Sequence, residues 1–166
     1  MKNDIIYVHT GTAELHTIKP ISTPAEGEWR NKPNGGLWGC RYIPEGPFLS
    51  VWEQWKNRNY CEQPCFKRGT QNWFVFALES SADVLTINGF SDYKNISEKL
   101  KTPKGFLHWE KIAKVYDAVE ITKGRDYWMT TPPLLSPAYY LEAWEVPSIL
   151  IFRSKAIVPL DRNLLR

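Results

Sequence analysis

The sequence is poor in cysteine, in net charge and in long apolar runs, and each shortage excludes a class of protein. Its three cysteines are an odd number, so they do not make the even framework that cross-links small secreted domains. Cys61 and Cys65 lie close together, but neither His16 nor His108 has the spacing to complete a zinc site with them. We therefore predict no bound metal and a reducing, cytoplasmic location.

The formal net charge of +3 over 166 residues does not define a partner, because no run of basic residues accompanies it. No apolar window is long enough to cross a bilayer. Residues 1–7 lack the charged-then-apolar pattern of a signal peptide. The length is typical of one sizeable core, so we predict a single domain over residues 1–166 with no membrane partner.

Aromatic residues are what the chain has in excess, with 8 Trp, 8 Tyr and 7 Phe. Trp and Tyr combine a flat apolar body with a polar tip, which suits half-buried sheet surfaces, ring-binding pockets and protein interfaces. Composition therefore leaves two functions open: a pocket for a ring-bearing ligand, or an aromatic-rich surface that binds another protein without catalysis.

The stretch Lys32–Cys40 combines three glycines and a tryptophan in a polar turn that runs into an apolar strand. Glycine costs conformational entropy, so this cluster indicates a sharp bend or a backbone that lies close against something. One interpretation is a hairpin corner with Trp38 in the core beside it. The other is a backbone that leaves room for the flat face of a ligand.

β-Branched and aromatic runs predict strands, and apolar residues at helical spacing predict short helices between them. Ser50 and Glu53 form a capping-box pattern that starts a helix through Arg58. Prolines and turn formers predict loops over residues 14–31 and 126–137. Strands dominate, so the fold class is α+β. The predicted strands cover 5–10, 37–42, 72–78, 84–87, 116–121, 147–152 and 156–160, and the predicted helices cover 50–58, 91–100 and 106–115.

The order of these features resembles the ADP-ribosyltransferases of the diphtheria-toxin and poly-ADP-ribose-polymerase type. The resemblance covers most of the chain as a pattern of elements, and it implies an α+β fold. In that fold two small packed sheets, antiparallel or mixed and flanked by two or three helices, form a cleft for NAD. The motifs that carry the resemblance are His9-Thr10-Gly11-Thr12, Gly35-Gly36-Leu37-Trp38, Tyr116-Asp117-Ala118-Val119, and an apolar late strand preceded by an acidic residue.

The same resemblance implies NAD-binding roles. By position, His9 contacts the adenosine ribose, and Gly11 is the nearest glycine for the nicotinamide carboxamide, with Thr10 standing where the family often has glycine. Trp38 stacks on the nicotinamide, since a broad π-face covers a partly cationic ring well. Gly36 keeps the strand edge clear for the ligand. The predicted NAD-binding residues are therefore His9, Thr10, Gly11, Gly36 and Trp38.

The implied reaction cleaves the N-glycosidic bond of NAD and transfers ADP-ribose to an acceptor, through a cationic ribose that a carboxylate stabilises. The family places that carboxylate at the start of the late strand, where it bonds a ribose hydroxyl and polarises the nucleophile. Glu145 is the candidate for the catalytic carboxylate. Strict register against the apolar strand instead puts Ser148 at the catalytic position, and Glu142 is a third candidate. The acceptor is a protein or a nucleic acid, and no motif identifies it.

Overall fold

The structure, a computed structural model, describes residues 5–12, 14–24, 32–59, 72–103, 105–130, 141 and 143–165. Cys61, Cys65 and Glu142 lie outside these residues, so what the sequence predicts for them stays a prediction. The described strands are β1 (Ile6–Thr10), β2 (Leu37–Arg41), β3 (Trp73–Leu78), β4 (Val84–Ile87), β5 (Ala118–Ile121), β6 (Ser148–Ile151) and β7 (Ile157–Leu160). The described α-helices are α1 (Val51–Asn59), α2 (Phe90–Leu100), α3 (Trp109–Val115) and α4 (Arg125–Thr130).

All seven strands belong to one mixed sheet, in the order β4-β5-β6-β2-β1-β3-β7. β4 and β5 are parallel, and the other neighbours are antiparallel. The α+β class is confirmed, but the two separate sheets of the prediction are joined by β1 and β2. Only Tyr7 with Arg41 and Val8 with Cys40 pair between these two strands. The sheet is therefore narrowest where β1 and β2 pair, and we call this position the waist of the sheet.

Side chains alternate along the strands and sort the apolar residues onto the two faces of the sheet. Val119, Ile121 and Leu150 pack on one face against a cluster that includes Trp109 and Trp144. A second cluster includes Tyr7, Phe76 and Ile149. The largest fully buried side chains include three tryptophans, Trp109, Trp128 and Trp144. Much of the aromatic excess is therefore core.

Helix α4 stands where the sequence predicts a loop. Residues 126–130 of that predicted loop are helical, and the remainder lies outside the described residues. Trp128 of this helix is 1% exposed, and its indole N–H donates to the Lys123 carbonyl at 3.0 Å. The loop prediction is wrong here because burial of one large side chain outweighs weak local helix propensity.

Side-chain caps define the first residues of α1 and α3. The Glu53 N–H donates to Ser50 Oγ at 3.5 Å, as in a capping box. The Glu53 carboxylate, however, accepts a hydrogen bond from the Leu49 N–H at 2.6 Å, whereas a capping box would use the N–H of Ser50. Helix α3 begins at Trp109, later than predicted, because the backbone of residues 106–108 pairs with residues 100–102. The Trp109 N–H then donates to Thr23 Oγ1 at 3.1 Å. That cap comes from a distant segment and has no local signal.

Asp117, in the Tyr-Asp-Ala-Val motif, ties three segments together. Its carboxylate accepts hydrogen bonds from Arg153 at 2.8 Å and from the Asp83 N–H at 3.2 Å. Arg153 also donates to the Ala113 carbonyl in α3 at 2.7 Å. Burial favours a higher pKa for Asp117, but the hydrogen bonds from Asp83 and Arg153 outweigh it, so the pKa is lowered. This carboxylate stabilises the fold.

Candidate active site

The candidate site begins where β1 and β2 stop pairing. Their ladder ends at Val8 and Cys40, and at the next position of β1 the imidazole of His9 bridges the strands, with Nδ1 2.7 Å from the Trp38 carbonyl oxygen. A carbonyl oxygen only accepts, so Nδ1 carries the proton and Nε2 of the neutral ring keeps its lone pair. Burial lowers the pKa of His9 and outweighs the hydrogen bond to Trp38, which acts in the opposite direction. The ring is therefore neutral near pH 7.

The gap at this waist is a cleft of about 290 Å³. It brings together segments that are far apart in the sequence: the end of β1, the middle of β2 and the approach to β6. Residues predicted from the sequence to act in the site and found lining this cleft are His9, Thr10, Trp38, Glu145 and Ser148.

Trp38 forms an aromatic wall of the cleft. Its half-buried ring lies 4.6 Å from the Trp144 ring, centroid to centroid, at an angle of 54°. The ammonium group of Lys32 lies 4.6 Å from the Trp38 centroid in a cation–π contact. The indole thus already attracts a positive charge, which is the property that a partly cationic ring would use.

Glu145 lies in the turn before β6, and its side chain is 16% exposed. Arg125, the first residue of α4, contacts it twice: the Arg125 N–H donates to the Glu145 carbonyl at 3.3 Å, and Nη1 lies 3.5 Å from Oε1. Because α4 replaces a predicted loop, sequence reasoning could not find this partner. The guanidinium orients the carboxylate beside the cleft.

Ser148 is the first residue of β6. Its hydroxyl donates to the Val146 carbonyl at 2.9 Å and lies 3.5 Å from Cys40 Sγ. Burial raises the pKa of Cys40 to about 11, so this neighbour is a neutral thiol at pH 7. Among the described residues no histidine or carboxylate accepts a proton from Ser148, and the hydroxyl is therefore not activated as a nucleophile.

Gly11 and Gly36 are not among the residues that line the cleft. Gly11 borders a separate groove, and its N–H donates to the Asn72 carbonyl at 2.8 Å. Gly36 has a φ of +68°, and a Cβ at that position would collide with Leu150 Cδ1. Backbone conformation and core packing account for glycine at position 36. The roles of both glycines in binding NAD stay predictions.

Sequence reasoning missed Lys32, Trp52 and Trp144 as lining residues of the cleft. The helical spacing of Val51, Trp52 and Trp55 predicts a stripe that faces the core, but these side chains are half-buried and the buried residue of α1 is Glu53. Trp52 stacks on Trp55 at 5.0 Å and 12°. Which face of a short helix is buried depends on its tertiary neighbours, so no local signal places Trp52 at the cleft.

Within the described residues, no helix combines the length and the apolar character needed to cross a bilayer. The same residues hold no group of three or more His, Cys, Asp or Glu arranged to bind a metal ion. Comparison of the chain with known protein families, curated proteins and solved structures finds no match.

Proposed function

We propose that the protein has an ADP-ribosyltransferase-like fold and transfers ADP-ribose from NAD to a protein or nucleic-acid acceptor. The observation that carries the proposal is that His9, Trp38 and Glu145 all line one cleft at the waist of the sheet. The three side chains meet three needs of the reaction. These are a ligand for a ribose, a face that stacks on a ring, and a carboxylate beside developing positive charge.

In this proposal His9 and Trp38 hold the dinucleotide. Nε2 of His9 accepts a hydrogen bond from a ribose hydroxyl, while Nδ1 stays bonded to the Trp38 carbonyl. The lowered pKa of His9 supports this role, because a protonated imidazole has no acceptor. Trp38 stacks on the nicotinamide, which takes the place of the Lys32 ammonium that lies 4.6 Å from the Trp38 centroid, and the displaced ammonium supplies positive charge for the pyrophosphate.

Glu145 acts at the reacting carbon. As the acceptor nucleophile attacks C1′ of the nicotinamide ribose, the C1′–N bond breaks, its electron pair leaves with nicotinamide, and the acceptor releases its proton to water. Positive charge develops on the ribose during this exchange, and a nearby ionised carboxylate stabilises it. Arg125 keeps the Glu145 carboxylate in place at 3.5 Å.

The alternative, a non-catalytic protein with an aromatic-rich binding surface, has less support. Among the described residues, the large hydrophobic side chains that are exposed are Ile5, Val115, Met129 and Val158, and none of them is aromatic. Several of the largest rings are buried instead. The cleft, which is lined by polar and aromatic side chains together, favours the enzyme.

Thermal unfolding with and without NAD tests binding. A ligand at about 100 times its Kd that binds only the folded protein adds about 2.7 kcal/mol to the free energy of unfolding. For a chain of this length that raises the unfolding midpoint by roughly 5–10 °C. Trp38→Ala should abolish the shift, and Trp38→Tyr, which keeps a stacking face, should retain it. An unchanged wild-type midpoint at millimolar NAD contradicts the proposal.

Mass spectrometry of a lysate incubated with labelled NAD tests transfer and finds the acceptor. Glu145→Gln should abolish transfer and change NAD affinity by only a few-fold, since the amide keeps the shape and loses the charge. Glu79→Gln, at an exposed glutamate outside the cleft, is the matched control. Full transfer by Glu145→Gln would remove Glu145 from the mechanism.

A further inference from the structure

A second cavity, of about 440 Å³, adjoins the cleft at Ser148, which lines both. Neighbouring side chains of a strand point to opposite faces of the sheet, so Cys40 lines the cleft whereas Arg41 lines the second cavity. Glu120 of β5 lines it too. Ser148 is the one residue among those predicted to act on NAD that also lines this cavity.

The polar part of the cavity is an ion pair between Arg41 and Glu120, in which one carboxylate oxygen takes both hydrogen bonds. Glu120 is 7% exposed, and its Oε1 accepts hydrogen bonds from Tyr7 Oη at 3.1 Å and from Arg41 Nε at 2.8 Å. Both bonds end on the same oxygen. The pair is therefore not bidentate, and the Arg41 side chain, which is 54% exposed, presents its outer edge to the open side of the cavity.

This arrangement selects against charged ligands. An anion would meet the Glu120 carboxylate, and a cation would meet the Arg41 guanidinium, so a neutral group that offers a donor beside an acceptor fits best. The hydroxyl of Thr122 and the amide of Asn88, 3.2 Å apart, add neutral polar groups to the lining. The apolar lining comes from Ile43, Val51 and Pro147.

We infer that this cavity binds a nucleobase. The edge of a base carries a donor and an acceptor in one plane, matching the second carboxylate oxygen of Glu120 and the exposed guanidinium of Arg41, and its faces suit apolar lining. A primary carboxamide offers the same pair of groups, but its few atoms leave most of about 440 Å³ unfilled. The inference goes beyond the proposed transfer and concerns binding alone.

The base belongs to a free nucleoside or to a single-stranded nucleic acid. Helix α1, whose first residue Val51 lines the cavity, carries Lys56 and Arg58 in its last turn. Arg58 can contact the phosphates of a strand, and phosphate contacts give salt-dependent affinity. A free nucleoside gains nothing from them, so the two sources are distinguishable.

Calorimetric titration without NAD tests the inference, with adenosine, guanosine, cytidine and uridine in turn and with a short single-stranded oligonucleotide. At least one nucleoside should bind, and Arg41→Gln should weaken it by at least about tenfold, the effect of a charge-assisted hydrogen bond. Arg162→Gln, the same change at an exposed arginine outside the cavity, should leave nucleoside affinity unchanged. Tighter oligonucleotide binding that weakens with salt assigns the base to a nucleic acid.

Arg41→Lys keeps a charged partner for Glu120 and removes only the planar fork, so it remains informative should the glutamine variant unfold. It should lose nucleoside affinity while its unfolding midpoint stays near that of the wild type. Three results overturn the inference: no nucleoside or oligonucleotide binding at millimolar concentration, equal binding of acetamide with the same dependence on Arg41, or binding that depends on Trp38 and not on Arg41. Because NAD is absent, a failure of the proposed transferase does not affect these results.

Discussion

Replacing His9 separates its contribution to the fold from its contribution to ligand binding, because its two ring nitrogens have different roles. Nδ1 bonds the Trp38 carbonyl at 2.7 Å, and Nε2 is the atom proposed to meet a ribose. The amide of asparagine takes the place of Nδ1 but does not reach the position of Nε2. His9→Asn should therefore keep the bridge between β1 and β2 and lose the ligand contact, and His9→Ala should lose both.

The expected magnitudes follow from the contacts of His9. His9→Ala loses about 1–1.5 kcal/mol with the hydrogen bond to Trp38 and roughly 1 kcal/mol more with the contact to the Phe74 ring, whose centroid lies 5.3 Å away. The total is about 2–2.5 kcal/mol, which for a chain of this length lowers the unfolding midpoint by roughly 4–10 °C. His9→Asn should lose less than half of that free energy.

Chemical denaturation measures the free energy of unfolding, and calorimetric titration measures NAD affinity. His9→Asn should bind NAD about tenfold more weakly than the wild type, the effect of one hydrogen bond. A His9→Ala protein as stable as the wild type within about 0.5 kcal/mol would refute the bridging role at the waist. An unchanged NAD affinity of His9→Asn would refute the contact through Nε2.

Three further predictions concern stability. Burial lowers the pKa of His9 below its ordinary value of 6.5, so acidification from pH 7.5 to pH 5 should destabilise the wild type more than His9→Asn; parallel denaturation curves would contradict this. Asp117→Asn should lower the free energy of unfolding at pH 7 by about 1–3 kcal/mol, less than for a fully buried pair because Arg153 is 38% exposed. Since the pKa of Asp117 is lowered, the advantage of the wild type is present above 3.8 and disappears as the pH falls through the folded value, and an equal loss at pH 2 and pH 7 would argue against the ion pair. Gly36→Ala should lower the free energy of unfolding by about 2 kcal/mol or more, because the added Cβ meets Leu150. Gly46→Ala, also at positive φ but with open space around it, should lower it by about 1 kcal/mol. Equal unfolding midpoints for the two variants would exclude the collision.

The strands were the most predictable part of the fold. β4 has the predicted bounds, Val84–Ile87, and β3 begins one residue later than predicted, at Trp73. Such runs of β-branched and aromatic residues depend mainly on neighbours along the chain. Helix α4 and the start of α3 were not predictable, because a buried indole at Trp128 and a cap from Thr23 define them.

The same division applies to the candidate site. The resemblance to ADP-ribosyltransferases, which short motifs near strand ends carry, was sufficient to nominate His9, Trp38, Glu145 and Ser148. Packing of distant segments was needed to stop the pairing of β1 with β2 after Val8 and to bring Arg125 to Glu145. It also joined Arg41 to Glu120, 79 residues away. Hydrogen bonds across such separations form only once the sheet has assembled, so no short segment of the chain contains the information that specifies them.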